Sequence, residues 1–299
     1  MLITSPNLTA LRTGFSTIFQ TALDAQRAAS LYKRIAMVVK STDKRETYGW
    51  LKDDARMRKW LGPRQVNALA EKGYMIENEP FEYTVGVSRY DVMFDKLGTY
   101  SQRFMNMGRA AAEHPDLLAF ALLKAGFDTN CHDGQFFFDT DHPVQLADGT
   151  IGTYANTDGG SGTPWFLIDT TKGMLPVIYQ EAIAPTFVSM QDPDNPNVFM
   201  NNEFVYGVDS YCQVGFGLPQ LAWGSKQTLN AANYAVARAG LGNIKGDHGS
   251  PLGITPNLLL VPPSLESAGR QIVNSEYGTG GITNEWKGTA ELVVCPWLA

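Results

Sequence analysis

Two long strand-like stretches joined by a dense turn signal constrain the fold more than any other feature of this chain. Leu175–Met190 and Val198–Phe216 contain many β-branched and aromatic side chains, which favour strands. Between them lies Asp192–Asn197, which consists only of Asp, Asn and Pro, residues that turns select. The sequence therefore predicts a long β-hairpin.

A long helix is predicted for Gly98–Phe127. Apolar side chains recur there at helical spacing, and they are Phe104, Met107 and Ala111, then Leu118, Ala121, Leu122 and Ala125. Pro115 lies inside this pattern, and a proline in a helix interior costs about 3 kcal/mol. We therefore expect either one helix that bends at His114-Pro115 or two helices.

The region before these elements divides into an N-terminal arm and a segment that contains a long charged stretch. Met1–Lys40 predicts one helix, with Asn7 as its N-cap, followed by a strand at Ile35–Val39. The helix rests on the spacing of Leu8, Leu11, Phe15, Ile18, Phe19 and Leu23. In Ser41–Tyr90, predicted strands at Tyr48–Leu51 and Phe81–Val87 enclose the charged stretch Lys52–Asn78, which we call the charged excursion. This pattern indicates a long hairpin or a protruding loop.

The remaining elements are shorter. Thr129–Pro164 predicts a long irregular segment, Thr228–Leu241 a helix, and Ala290–Val294 a last strand. Leu258–Val261 is apolar throughout, and because side chains alternate faces along a strand, both of its faces must be covered. A helix capped by Ser264 should cover one face with Leu265, Ala268 and Ile272.

Composition excludes several classes of protein. The net charge of −6 argues against a dedicated nucleic-acid binder, which needs a basic surface. The cysteines Cys131, Cys212 and Cys295 are far apart and form no C-x-x-C pair, which indicates buried, reduced thiols. Without a secretory signal or a long apolar run, the chain is expected to be soluble and cytoplasmic when made.

The strongest candidate for chemistry is the His132–His142 segment. Its possible metal ligands are His132, Asp133, Asp139, Asp141 and His142. Their spacing matches no helical or zinc-knuckle pattern, so a role in turns and caps is favoured. The glycine-rich Asp158–Gly162 stretch lacks the lysine of a phosphate-binding loop, and the aromatics Trp50, Trp60, Tyr74, Phe81 and Tyr83 lack a basic groove. We expect no catalytic residue, no cofactor site and no metal site.

Several segments resemble the major head subunits of Mu-like phages. In chain order they are Tyr32–Val39, Thr47–Leu51, Trp60–Gly62, Phe81–Arg89, Asp133–Val144 and Thr255–Glu266. The matches occur in the same order and run from residue 32 towards the C-terminus. Together, in this order, the six segments make the resemblance specific.

The resemblance implies an α+β protein with the tailed-phage capsid fold, which is named after phage Hong Kong ninety-seven. It implies five regions, which are 1–40 as an N-terminal arm, 41–90 as an extended loop, 91–225 as a peripheral domain with a spine helix and long hairpin, 226–284 as an axial domain, and 285–299 as a strand returning to a sheet. Such a chain is expected to build an icosahedral shell from hexamers and pentamers and to do no chemistry.

The partners implied by the resemblance are other copies of the chain, a separate scaffold protein, a portal protein, a cement or decoration protein, and packaged double-stranded DNA bound without sequence specificity. No membrane partner is expected, and the location is the virion. Two alternatives remain open. One is a metal-dependent hydrolase that uses His132–His142, and the other is a different virion protein, such as a tail-tube or decoration protein.

Overall fold

The computed structural model describes residues 2–52, 73–94 and 98–299. Within these residues the helices are α1 (Ser5–Ala29), α2 (Arg89–Met93), α3 (Gly98–Ala125), α4 (Pro196–Asn201), α5 (Ala231–Gly242) and α6 (Glu266–Val273). No helix in the described part of the chain is both long and apolar enough to span a membrane.

The strands in the same residues are β1 (Ala36–Lys40), β2 (Arg45–Tyr48), β3 (Tyr74–Glu77), β4 (Glu79–Ser88), β5 (His142–Gln145), β6 (Ile151–Tyr154), β7 (Thr157–Gly160), β8 (Trp165–Ile168), β9 (Val177–Met190), β10 (Glu203–Phe216), β11 (Ala222–Lys226), β12 (Leu258–Val261) and β13 (Glu291–Val294). The fold is therefore α+β. The segment Thr129–Pro164, which the sequence predicts as irregular, in fact holds β5, β6 and β7.

The predicted long hairpin is confirmed as β9 and β10. The two strands pair antiparallel from Val205 opposite Met190 to Phe216 opposite Val177. They form the middle of a four-stranded sheet with order β1-β9-β10-β4. The predicted start of the second strand at Val198 is wrong, because Asn195 caps the short helix α4 in the connection by accepting a hydrogen bond from the Asn197 backbone N–H.

Helices α1 and α3 pack together against this sheet. Their apolar faces meet in one core with β4 and β10, where Phe15 stacks on Phe104 with ring centroids 4.0 Å apart. Gly108 permits this close approach, because a Cβ there would overlap the Phe19 carbonyl group and lie 3.0 Å from the Ala22 Cβ. The arm helix is thus part of a shared core.

Helix α3 runs through Pro115 without ending, so of the two predicted alternatives the single long helix is confirmed and the pair of helices is wrong. Pro115 is buried, and the helix on both sides of it contributes fully buried side chains, among them Phe104 and Phe120. Burial of a large apolar side chain contributes about 1.5–3 kcal/mol, so several such residues offset the cost of one proline.

The second sheet has five strands in the order β13-β12-β8-β11-β7. Strand β12 lies between β13 and β8, and all four of its residues are buried. Leu258 and Leu260 belong to one core cluster, whereas Leu259 and Val261 belong to another that includes Ile272 of α6. The prediction that both faces of this strand are covered is confirmed.

Of the two strands predicted around the charged excursion, Phe81–Val87 is confirmed within β4, but the pairing that the hairpin alternative requires is wrong. Strand β2 pairs with β3, from Arg45 opposite Glu77 to Tyr48 opposite Tyr74, while Gly49–Lys52 forms a 3-10 turn. Strand β4, which contains Phe81–Val87, pairs instead with β10. Most of the predicted excursion Lys52–Asn78, that is residues 53–72, lies outside the described residues.

The two ends of the charged excursion are attached to the four-stranded sheet. The Tyr48 hydroxyl donates to Oε1 of the buried Gln180 at 2.8 Å, and the Gln180 Nε2 donates to the Ile76 carbonyl at 3.3 Å. Ile76 also packs with Tyr48, Leu51 and Ile178 in a small apolar cluster. Strands β2 and β3 therefore have a fixed attachment to β9.

Two predicted helix caps are also wrong. Helix α1 begins at Ser5, so Asn7 lies inside it, and its side chain donates to the Leu2 carbonyl. Helix α6 begins at Glu266 after a 3-10 turn, so Ser264 precedes its N-cap position at Leu265. The domain boundaries implied by the resemblance stay a prediction.

Candidate functional site

The segment predicted to be most suited to chemistry folds into a buried polar cluster. The His142 Nδ1 lies 2.7 Å from Oδ2 of Asp133, and Oδ1 of Asp133 accepts from the Cys131 thiol at 3.1 Å and from the Gln135 backbone N–H at 3.0 Å. His142 is fully buried, and the Asp133 side chain is 13% exposed. Cys131, Asp133 and His142 are the members of this cluster.

Asn156 holds the other side of the imidazole ring. Its Oδ1 lies 3.3 Å from the His142 Nε2 and also accepts from the Asp139 backbone N–H. Its Nδ2 donates to the carbonyls of Phe137 and Pro219. Because backbone groups occupy both ends of the amide, its orientation is set, and an acceptor oxygen faces His142.

The other candidate ligands lie apart from the cluster. Asp139 accepts from the Thr140 and Phe136 backbone N–H groups, as a turn former does. Asp141 is exposed, and a hydrogen bond with Asp139 raises the pKa of its carboxyl. His132 lines a neighbouring cavity of about 600 Å³ that Asp133 also lines. Of the five ligands suggested by the sequence, Asp133 and His142 are the two that belong to the buried cluster.

The electrostatics of the cluster favour a charged Asp133 and a neutral Cys131. Burial raises the pKa of the Asp133 carboxyl, but hydrogen bonds from His142 and Cys131 outweigh it and lower the pKa to about 2. Burial, together with the hydrogen bond to Asp133, raises the pKa of the Cys131 thiol to about 12. A protonated thiol is a weak nucleophile, so the cluster lacks an activated attacking group.

The glycine-rich stretch serves packing. In Thr157–Gly160 the strand β7 runs parallel to β11, and the Gly162 backbone N–H donates to the Lys226 carbonyl. A Cβ on Gly160 would overlap the backbone of Lys226, and Gly160 also has a φ of +98°. Glycine is therefore required for this close approach, and no phosphate is needed to explain it.

The three aromatic candidates whose side chains the structure describes do not gather into one stacking surface. Tyr74 is half-buried and its hydroxyl accepts from the Phe216 backbone N–H, while Phe81 packs on the His114 ring with centroids 4.2 Å apart. Tyr83 is exposed on β4. Trp60 and the side chain of Trp50 lie outside the described residues.

Large apolar side chains are exposed where β4 and the long hairpin end. Phe199 and Met200 of α4 are 74% and 77% exposed, and Phe94 is 69% exposed. The two segments are neighbours, because the Arg89 backbone N–H donates to the Asn202 carbonyl at 3.1 Å. We call Tyr90, Phe94, Phe199 and Met200 the hairpin-end patch. Large exposed apolar residues on neighbouring segments are typical of protein contact sites.

Sequence comparison places nearly the whole chain in one family. Residues 8–298 match the family described as Mu-like prophage major head subunit gpT. The chain is 40% identical over 308 aligned positions to the major capsid protein of Escherichia phage Mu, with all of both chains covered. It is 39% identical to the Mu-like prophage FluMu major head subunit of Haemophilus influenzae, with 95% of each chain covered.

Solved structures give the same result. The chain matches a chain of the bacteriophage JBD30 procapsid with a TM-score of 0.84 and 42% identity, covering 99% of this chain and 100% of that one. It matches the JBD30 capsid with a TM-score of 0.76 and 33% identity, covering 90% and 91%. A JBD30 capsid decorated with minor capsid protein trimers matches with a TM-score of 0.76 and 32% identity, covering 90% and 91%.

These likenesses extend over the full chain and agree with the α+β architecture, so the fold is the tailed-phage capsid fold. The resemblance that the sequence segments suggested is thereby confirmed. The chain belongs to the Mu-like prophage major head subunit gpT family and is a structural subunit of the head shell.

Proposed function

We propose that copies of this chain assemble, in the cytoplasm of a bacterial host, into an icosahedral shell of hexamers and pentamers that encloses phage DNA. The single observation that carries this proposal is the match over 99% of the chain to a procapsid subunit at 42% identity. A shell lattice depends on the whole subunit surface, so a full-length match is the appropriate support.

The geometry of the subunit suits this role. Stable protein interfaces bury at least about 1,000 Å² in total, and a shell subunit needs several of them. The β9–β10 hairpin, with 14 residues in each strand, and the 25-residue helix α1 extend the surface available for such contacts. The hairpin-end patch offers exposed apolar area for one of them.

The domain division is part of this proposal. The four-stranded sheet with α1 and α3 would form most of the peripheral domain, and residues 41–90 would be the extended loop. The helices α5 and α6 with strand β12 would form most of the axial domain, in 226–284. Residues 285–299 would return to the five-stranded sheet through β13.

The further partners are proposed from chemistry and from relatives. Because a JBD30 capsid is decorated with minor capsid protein trimers, we include a decoration protein among the partners of this chain. A separate scaffold protein and a portal protein are proposed on the family resemblance. The net charge of −6 favours a weak contact with DNA in which the protein does not recognise the base sequence.

The proposal includes the absence of catalysis. A catalytic cysteine that is activated by a histidine base would donate its thiol hydrogen bond to the imidazole. The protonated Cys131 thiol instead donates to the Asp133 carboxylate. Asp139 bonds backbone N–H groups and Asp141, and neither carboxylate belongs to the cluster around His142, so the hydrolase alternative lacks the ligand set it assumed. The tail-tube alternative gives no role to the long helix α3.

The test is assembly of the purified chain, alone and with the scaffold protein of the same phage. Light scattering and negative-stain electron microscopy should show capsomers alone and closed shells with scaffold. A subunit that stays monomeric with scaffold present would refute the proposal. Short tubes or isolated rings in place of closed shells would favour the tail-tube alternative.

A further inference from the structure

We propose that Cys131, Asp133 and His142 form a binding site for a divalent transition-metal ion of the zinc class, with a structural role. The thiol sulfur, a carboxylate oxygen and a ring nitrogen of these residues lie within 4.8 Å of one another. Cys131 and His142 are buried, and Asp133 is mostly buried. Sequence reasoning missed this set because it treated Cys131 as one of three scattered cysteines.

The imidazole ring requires a cation or a proton on its Nδ1 side. The Nε2 faces the Asn156 Oδ1, an acceptor whose orientation two backbone carbonyls and one backbone N–H fix. A neutral ring carries one hydrogen and can satisfy only one of its two acceptor neighbours, Asp133 Oδ2 or Asn156 Oδ1. Both are satisfied when Nε2 donates its hydrogen to Asn156 and a positive charge, a proton or a metal ion, lies between Nδ1 and the Asp133 Oδ2.

A metal ion satisfies this geometry in the way that protein zinc sites do. Metal-bound histidines commonly donate their other ring N–H to a carbonyl or carboxylate, which fixes the tautomer and the ring orientation. Asn156 is placed to accept that bond. The amide is therefore the outer support that a metal-bound Nδ1 needs.

The donor set selects the metal. Sulfur and imidazole are ligands of zinc-class ions, whereas calcium and magnesium prefer sets made of oxygen. Ligand bonds of about 2.0–2.3 Å place tetrahedral donor atoms roughly 3.3–3.7 Å apart. The His142 Nδ1 and the Asp133 Oδ2, now 2.7 Å apart, must therefore separate by about 0.6–1 Å. The cavity of about 600 Å³ that Asp133 lines supplies a path for the ion and room for a water as fourth ligand.

Binding replaces protons with the ion. Cysteine binds zinc as the thiolate and not as the thiol, so the ion displaces the proton of Cys131 into solvent. The proton on the His142 Nδ1 also leaves, because the nitrogen lone pair binds the metal. No electron is transferred: the S–H and N–H bonds break, bonds form from sulfur, nitrogen and the Asp133 oxygen to the metal, and the ion releases bound water molecules to the solvent. Affinity should therefore increase with pH, and binding should release protons to the buffer.

The experiment uses the full-length chain, purified in a reducing buffer, stripped with chelator and freed of it. Calorimetric titration with zinc chloride should give one ion per subunit, with a heat that changes between buffers of different ionisation enthalpy. Cobalt chloride should produce the thiolate-to-cobalt charge-transfer band. Asn156→Ala keeps all three ligands and should weaken zinc binding by about 10–100-fold.

Cys131→Ser should abolish the cobalt band, whereas the matched control Cys212→Ser should retain it, because Cys212 is a buried thiol outside the cluster. The folded wild-type chain decides the matter even if a variant does not fold. Failure of wild type to take up zinc or to give the cobalt band would overturn the proposal and leave a proton between Asp133 and His142. Retention of the band in folded Cys131→Ser would overturn it as well.

Discussion

The carboxylate of Asp116, in the C-terminal half of α3, accepts a hydrogen bond from the backbone N–H of Tyr32 at 2.6 Å. The same oxygen accepts from the Leu31 backbone N–H at 2.9 Å. These two donors follow directly after α1, where the chain turns towards β1. One buried side chain therefore fixes the point at which the arm helix joins the rest of the subunit.

Replacing Asp116 tests this junction. Asp116→Ala leaves the N–H groups of Leu31 and Tyr32 without their acceptor, and each unpaired buried donor costs about 1–3 kcal/mol. Asp116→Asn keeps an acceptor oxygen and should be close to wild type in stability. Urea unfolding of the soluble subunit measures both, and equal stability of the alanine and asparagine variants would contradict the role assigned to Asp116.

The same residue predicts a dependence on pH. Burial raises the pKa of the Asp116 carboxyl, although the backbone hydrogen bonds from Tyr32 and Leu31 oppose it. Because the pKa of Asp116 is raised in the folded state, binding of a proton to this carboxyl favours the folded subunit. This stabilisation is fully present below the unfolded pKa of 3.8 and is lost as pH rises through the folded pKa. The stability difference between wild type and Asp116→Asn should therefore shift in favour of wild type on acidification through that window. An unchanged difference would contradict this.

Much of the fold could be predicted because its signals are local. The run Leu258–Val261 fixed a buried strand by side-chain alternation alone, and the turn residues between β9 and β10 located the long hairpin. The β2–β3 pairing could not be predicted, since Tyr74–Glu77 is a short strand whose place depends on contacts with Gln180, a residue far away in sequence. The continuity of α3 through Pro115 likewise depends on core packing, which local propensity does not contain.

The polar cluster was predictable only in part. The sequence indicated that Asp133 and His142 were candidates, but spacing gave equal weight to Asp139 and Asp141, which the turn at Phe136–Thr140 directs to backbone N–H groups and to the surface. Cys131 and Asn156 carried no motif, because their place beside His142 is set by tertiary structure. The signal that could have identified Cys131 is its position two residues before Asp133.

The contact between α1 and α3 predicts opposite effects for two glycine substitutions. Alanine is favoured over glycine in a helix by about 1 kcal/mol, so Gly14→Ala, where nothing lies near the new Cβ, should stabilise the subunit by up to that amount. Gly108→Ala places its Cβ against the Phe19 carbonyl and should destabilise by about 1–3 kcal/mol. Thermal unfolding compares the two directly, and stabilisation by Gly108→Ala would show that the helices do not approach this closely.

Removing residues 53–72 should separate folding from assembly. The described strands β2 and β3 and the Gln180 hydrogen bonds would remain, so a short glycine-rich link between Lys52 and Gly73 should leave a folded subunit. Surface loops change length at a cost of only about 1 kcal/mol. Shell formation with scaffold should be lost, because we propose that these residues belong to an extended loop that contacts neighbouring subunits.

Circular dichroism and electron microscopy of this variant give the two readouts. A deletion that extends to Asn78 is the comparison, since it also removes β3 and the buried Asn78, whose side chain donates to Ser41 and to the Asp43 carbonyl. That longer deletion should impair folding. Normal shells from the shorter deletion would refute the proposed role of the loop.

The centre of the five-stranded sheet predicts a folding defect distinct from the assembly defect. Leu259 is fully buried in β12 and packs with Trp165, Leu167 and Ile272. Leu259→Asp would place a carboxylate in that apolar cluster, at a cost of several kcal/mol. Domains are commonly stable by only about 5–15 kcal/mol, so the subunit should be insoluble or unfolded.

The control Val236→Asp introduces the same charge at a position that is 53% exposed on α5 and should stay soluble with nearly wild-type melting. A soluble Leu259→Asp subunit with the wild-type melting temperature would mean that β12 is not buried at the centre of its sheet.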